Sequence, residues 1–337
     1  MAGRRDGGRR AAGRRGWTLL EVCTVLILLA ALASLAVPGL QLLRESSRRS
    51  QCQSHMAGIG LALQNYHQAH GLLPPAVLRA GSSERFDLST VNSRGVAHRQ
   101  QSSGANWAVM LLPFRGAQAL ADSFDWSAAV MDPANAAPRS VELAMMKCPC
   151  DPHNNAANAY RMTSADGAID ALFARGNYGL NCGTSGLDHS PGKPWRPAPG
   201  GGAVKTLWVG NRLVEQQWGN GVGGVNKSYS VQDFKNGLSN LVGVDELRAG
   251  VVPADARGVW ALGDAGSSMT WRHGLLGDAG GPNCPRHRAD DTIGCNQAHE
   301  ALGVEGLVAE GMTCCSYSEA AIQATARSAH PGGVNAL

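Results

Sequence analysis

Arg14-Arg15-Gly16-Trp17-Thr18-Leu19-Leu20-Glu21-Val22 opens an apolar run that continues to Val37 and meets Pro38. Between Val22 and Val37 the only polar side chains are Thr24, Ser34 and the weakly polar Cys23. From Trp17 the run is about long enough to cross the hydrocarbon core of a bilayer, which takes ~20 helical residues. Arginines crowd its N-terminal side, as the positive-inside rule expects of a cytoplasmic flank. Glu21 is the anomaly. An acid at that depth costs on the order of 2.5–3.5 kcal/mol on insertion scales, so it points to function and asks for a partner.

Gly16-Trp17-Thr18-Leu19-Leu20-Glu21 resembles the processing signal of type IV pilins and type II secretion pseudopilins. In that signal a basic leader ends in Gly, an aromatic residue and Thr-Leu follow, and Glu is the fifth residue after the Gly. Pro38 falls where those proteins often carry a helix-loosening proline. The resemblance implies that prepilin peptidase cuts between Gly16 and Trp17 and methylates the new N-terminus. It also implies that Glu21 pairs with the amine of a neighbouring subunit during assembly. Phe is the usual first mature residue, and Trp17 keeps its aromatic character. Two simpler readings compete. One is a cleaved export signal, with a weak twin-arginine likeness and small residues at Ala31-Leu32-Ala33 or Ser34-Leu35-Ala36. The other is a plain single-span anchor. Neither needs Glu21.

The chain has 337 residues, enough for a sizeable core. Its formal charge of +4 belongs to the leader, which holds six Arg and one Asp; residues 17–337 carry 24 Lys+Arg against 25 Asp+Glu. That balance implies no nucleic-acid partner. Gly accounts for 43 residues, well above the usual ~7%, which favours turns and irregular strands over a helical bundle. A hydrophobic share of 44% and a charged share of 17% keep the composition away from that of a disordered chain.

Beyond Pro38, Met56, Ile59, Leu63 and Tyr66 repeat at spacings of three, four and three, one face of an amphipathic helix. Gly71 and Pro74-Pro75 stop it. Trp17 to about His70 would make a helix roughly 80 Å long, and Gly58 and Gly60 weaken its second part enough to allow a bend. The expected organisation is a cleaved leader over residues 1–16, a transmembrane helix over 17–37, an amphipathic continuation over 38–71 and a globular head over 72–337. The fold class is α+β: the helix packed on a Gly-rich, β-containing, pilin-like head. The expected location is the inner membrane, single-pass, with the head in the periplasm or outside the cell.

Further along, Gln51-Cys52-Gln53 to His67 is similar to the "C-x-N-N-L-K-Q-I-G-L-A-L-H-N-Y-H" stretch of a large bacterial group. These proteins join a pilin-like N-terminus to a poorly characterised C-terminal domain. Gly71-Leu72-Leu73-Pro74-Pro75 matches the group's "G-x-x-P-P". Trp107 to Phe114 resembles its "W-x-x-x-L-L-P-y" segment and should form a core strand or helix edge, and Gln118 to Asp125 a short helix. Ala76 to about Gln101 reads as surface loop. Cys148-Pro149-Cys150-Asp151 and Gly176-Asn177-Tyr178-Gly179-Leu180-Asn181-Cys182-Gly183-Thr184 resemble "C-P-S-D" and "S-N-Y-x-G-N-x-G-T". Val231 to Asn240 and Arg257 to Gly274 continue the likeness. His330 opens the group's terminal "His-x9-Asp-Gly". The Asp-Gly would fall past Leu337, so either the sequence stops short of it or a last strand is lost, which would expose its neighbour's backbone.

Eight cysteines lie outside the expected span, and Cys23 lies within it. In an oxidising compartment disulfides are the first reading, with Cys148, Cys150, Cys182, Cys284, Cys295, Cys314 and Cys315 as candidates. Cys150 and Cys182 depart from the group's pattern and could compensate each other as a pair. Cys284 and Cys295 would join each other or Cys314 or Cys315. The strongest cluster for chemistry runs from Asp264 to His299 and holds His273, Asp278, Cys284, His287, Asp290, Asp291 and Cys295. Its spacings match no zinc pattern. Loops with solvated acids account for it, and Asp264, Asp278, Asp290 and Asp291 are candidates for calcium. Gly219–Gly224 lacks the Gly-Lys-Ser/Thr of a phosphate loop and reads as a turn or bulge. There is no Gly-x-Ser-x-Gly elbow and no His-Glu-x-x-His. The expectation is therefore a structural subunit rather than an enzyme. Its partners would be prepilin peptidase, other pilin-like subunits, the secretion or pilus machinery and the inner membrane. A tethered, non-polymerising binding module for a carbohydrate or other extracellular ligand is the alternative.

Overall fold

A computed structural model describes residues 16–79, 103–163, 170–183, 207–209, 212–214, 219–271, 281–286, 289–315 and 323–337. The chain is α+β, with one long N-terminal helix, short helices and small sheets. Helix α1 (Leu19–His70) contains the boundary between two compact units, which falls between Ser47 and Arg48. In the first unit, apolar side chains such as Leu20, Ile27, Leu28 and Leu32 are exposed. The helix is long and apolar enough to cross a membrane.

The second unit begins with the remainder of α1. Cys52, Met56, Ile59, Ala62 and Leu63 are buried there and belong to one helical face. Full burial of a side chain such as Ile59 contributes about 1.5–3 kcal/mol. The helix runs unbroken through Gly58 and Gly60. These glycines are places of close approach: a Cβ would strike the Arg115 guanidinium at Gly58 and the Leu337 side chain at Gly60. Gly71, at φ +73°, ends the helix and donates its N–H to His67 O at 2.8 Å.

Strand β1 (Val77–Arg79) pairs antiparallel with β2 (Ser103–Asn106), so the stretch expected to be loop starts as a strand with Val77 fully buried. The Trp107 segment forms a buried helix, α2 (Trp107–Met110), because Asn106 Oδ1 caps it by accepting Val109 N–H at 3.0 Å. Helices α3 (Gln118–Asp122) and α4 (Ala136–Arg139) follow. Next come the antiparallel pairs β3 (Tyr160–Thr163) with β4 (Asp170–Phe173), β6 (Leu207–Val209) with β7 (Arg212–Val214), and β8 (Gly223–Gly224) with β9 (Lys227–Ser228). Part of the glycine cluster is thus a strand. A Cβ at Gly223 would strike Leu180 and the Pro74 carbonyl.

The centre of the head is β5 (Tyr178–Asn181), placed between β10 (Val244–Glu246), antiparallel, and β11 (Met269–Thr270), parallel. Buried on both faces, it lacks the alternation of a half-exposed strand. The outer edge of β10 is covered. Asp245 bridges Ala336, Leu337 N–H donates to Val244 O at 2.8 Å, and Gly243 N–H donates to Leu337 O at 2.6 Å. A second small core surrounds α5 (Cys295–Ala309), with β12 (Asp290–Asp291) and β13 (Cys314–Cys315) paired in parallel beside it.

Candidate functional site

At the N-terminus of α1 the sequence Thr18-Leu19-Leu20-Glu21 forms a capping box. Thr18 donates its backbone N–H and its hydroxyl to Glu21 Oε2 at 2.8 and 2.9 Å, and Glu21 N–H donates back to Thr18 Oγ1 at 3.3 Å. Glu21 therefore has a partner within its own chain. It sits at the positive end of the helix dipole, where an acid is favoured. Gly16 and Trp17 precede the helix in an exposed, non-helical stretch. The leader before Gly16 lies outside the described residues.

A second constellation lies in the head, around Cys148-Pro149-Cys150-Asp151. Asp151 N–H donates to Cys148 O at 3.1 Å, closing a turn with Pro149 at its second position, where proline's fixed φ is preferred. Asn177, just before β5, clamps this turn. Its Oδ1 accepts Cys148 N–H at 2.8 Å and the Asn154 amide; its Nδ2 donates to Asp151 Oδ2 at 2.6 Å and Leu247 O at 3.0 Å. Asp151 Oδ2 also accepts Ala249 N–H at 2.7 Å. The two sequence signatures that contain Cys148 and Asn177 thus meet in one buried junction.

Cys148 is joined by a disulfide to Cys52 on α1. His330 Nε2 lies 3.3 Å from Cys148 Sγ and 3.5 Å from Glu246 Oε1. Glu246 accepts from Asn335 N–H and its side-chain amide at 3.0 and 2.8 Å. Cys52, Cys148, Glu246 and His330 are all buried, with donor atoms within 4.8 Å of one another. A Cys/His/carboxylate set would suit zinc, but the disulfide consumes both thiolates that such a site needs. The same holds for Cys295, His299 and Cys314, since Cys295 and Cys314 form the second disulfide.

Cys150 and Cys182 do not pair, which corrects that expectation. Cys150 belongs to the turn clamped at the start of β5, whereas Cys182 follows its end. Asn177 and Cys182 flank this four-residue strand, five steps apart, roughly 16 Å at ~3.3 Å per residue. Burial, followed by the Asp245 carboxylate, pushes the Cys182 thiol up. Cys284 and Cys315 lie outside both disulfides. Cys52 is the one bridged cysteine missing from the sequence-based candidates, although its spacing of four from Met56 puts it on the buried face.

Of the four calcium candidates, the three among the described residues, Asp264, Asp290 and Asp291, do not converge as a ligand set. Asp278, like His273 and His287, lies outside those residues. Asp264 is buried near Ser267 and Ser268. Asp290 Oδ2 takes Arg327 Nε at 2.6 Å and Arg257 Nη1 at 3.2 Å, and its Oδ1 accepts Thr325 N–H at 3.1 Å. Two guanidinium groups thus meet an acid that the sequence reads as solvated or, alternatively, as a calcium candidate, and that is in fact buried. Arg257 also pairs with Asp255 at 2.7 Å. Burial works against the Asp255 charge, but Arg257, with Arg175 beyond it, holds the carboxyl below its usual range.

These features define a class: one apolar helix, among the described residues, able to span a membrane and continuous with an α+β unit held by two disulfides and buried polar junctions. Residues 41–337 match the family described as "Protein of unknown function (DUF1559)", and the chain belongs to that family. No curated protein and no solved structure matches it.

Proposed function

We propose that this chain is a pilin-like structural subunit, cut by prepilin peptidase between Gly16 and Trp17 and carried in the inner membrane with its head on the outer side. The observation that carries this reading is the Thr18–Glu21 capping box at the start of a helix with an exposed apolar surface. Both bonds from Thr18 fall on Oε2. Oε1 is then the oxygen that receives a neighbouring subunit's N-terminal amine, aligning the apolar helices of successive subunits. The cap orients the acid, and the amine neutralises it in a medium where an isolated charge is costly. Secretion or pilus machinery and other pilin-like subunits are the partners. The head acts as a structural surface, without catalysis.

The test is the mass of the mature N-terminal peptide isolated from membranes. A peptide beginning at N-methylated Trp17 is the expected result. A start near Ser34 or Val37 would make the chain a secreted domain and remove the role assigned to Glu21.

A further inference from the structure

The head holds a thiol and a buried disulfide that each lie close to one imidazole. Cys148 and Cys150 are the first and third residues of one hydrogen-bonded turn. Cys150 keeps its thiol and is half-buried, whereas Cys52 and Cys148 are closed to solvent. A His330 ring nitrogen lies within 4.8 Å of Cys150 Sγ, and His330 Nε2 is 3.3 Å from Cys148 Sγ. Cys52 Sγ is also within 4.8 Å of the ring, and Glu246 stands behind it at 3.5 Å.

We propose that Cys150, His330 and the Cys52–Cys148 disulfide form a thiol–disulfide exchange site that opens the covalent tie between α1 and the head. The thiolate is the attacking species in such exchange. Cys150 gives its proton to His330, and its sulfur electron pair forms the Cys150–Cys148 bond. The Cys52–Cys148 bond breaks with its pair on Cys52, which takes the proton back from the imidazolium. One disulfide replaces another, and no oxidant or reductant is consumed. Residues 148 and 150 share one hydrogen-bonded turn, and the attack requires the Cys150 side chain to swing toward Cys148 Sγ.

The exchange moves the disulfide from two inaccessible sulfurs to one that includes the half-buried Cys150. An external thiol can then attack Cys150 Sγ to form a mixed disulfide, and a second thiol resolves it. The overall result is two thiols oxidised to a disulfide and one protein disulfide reduced. Without Cys150, the same thiol reaches Cys52 or Cys148 only after the core opens.

The test uses the full chain in detergent, treated with dithiothreitol, quenched in acid, alkylated and mapped by peptide mass. The expected early product has Cys52 alkylated and Cys148 linked to Cys150. Cys150→Ser should slow the opening of Cys52–Cys148 on the order of tenfold or more, because access to an attackable sulfur sets the rate. Thermal melting of oxidised Cys150→Ser should match the parent, so that slower opening cannot come from a stiffer fold. Equal opening rates in the two proteins, or alkylation of Cys52 and Cys148 always together with no Cys148–Cys150 peptide, would overturn the proposal. The mapping of the unmutated chain stands even if the variant folds poorly.

Discussion

Asn177 donates its side-chain N–H to Asp151 Oδ2 at 2.6 Å, in a part of the head where both residues are buried. Since the same amide also accepts Cys148 N–H, this bond sets where the Cys148 turn sits against β5. Replacing Asn177 with Ala leaves Cys148 N–H without that acceptor and takes one donor each from Asp151 and Leu247 O, all away from solvent. Each orphaned buried group costs about 1–3 kcal/mol. We expect a loss of about 3 kcal/mol or more by urea denaturation. A loss below about 1 kcal/mol would show that the junction is not needed to position the turn.

Asp290→Asn should be among the most damaging single substitutions in the head. It leaves Arg257 and Arg327 buried with one fewer counter-charge. Breaking a buried pair in this way costs about 3–5 kcal/mol. If added calcium instead stabilised the unmodified chain and not Asp290→Asn, the arginine account of Asp290 would fail.

Asp255 gives the stability a pH dependence of known sign. Its folded carboxyl is held low, so its contribution is present in full above the unfolded value of ~3.9 and is lost as pH falls through the folded value. Urea midpoints taken from neutral pH into the acid range should fall, and Asp255→Asn should flatten that fall. An unchanged slope in the variant would remove Asp255 as its source.

The two disulfides should differ in worth. Cys52–Cys148 spans 96 residues and Cys295–Cys314 spans 19. Chain entropy predicts about 4.7 kcal/mol for a loop of the first size and about 3 kcal/mol for one of the second. Cys52→Ser should therefore destabilise the chain more than Cys295→Ser in parallel denaturation. The reverse order would mean that native packing, not loop length, decides.

Glu21→Ala should still yield a mature N-terminus at Trp17 but leave the subunit in the membrane rather than in a sheared or co-purified assembly. Incorporation equal to the parent would count against pairing through Glu21.

The long helix is legible in the sequence because its physics is local. Met56, Ile59 and Leu63 repeat at helical spacing, and Gly71 with Pro74-Pro75 ends it. The Thr18–Glu21 box is equally local, a Thr and a Glu three residues apart, but an acid in an apolar run draws attention to partners in other chains first. The disulfide from Cys52 is not legible, since its partner lies 96 residues away and spacing carries no distance in space. Asp290 reads as a solvated acid or a calcium candidate for the same reason. Arg257 and Arg327 stand 33 and 37 residues from it, and only the fold brings them together. The Trp107 segment, expected as a strand or helix edge, is a helix because one side chain, Asn106, caps it.

The placement of β5 also governs the order of events during synthesis. Its partners lie in β10 and β11, and the bridge that covers β10 comes from Ala336. At roughly 5–20 residues per second, the ribosome needs on the order of ten seconds to a minute to pass from His70 to that point. Throughout this interval the face formed by Met56, Ile59 and Leu63 has only part of its core to pack against. The outer edge of β10 therefore stays open until Ala336 has been made, long after β5 itself.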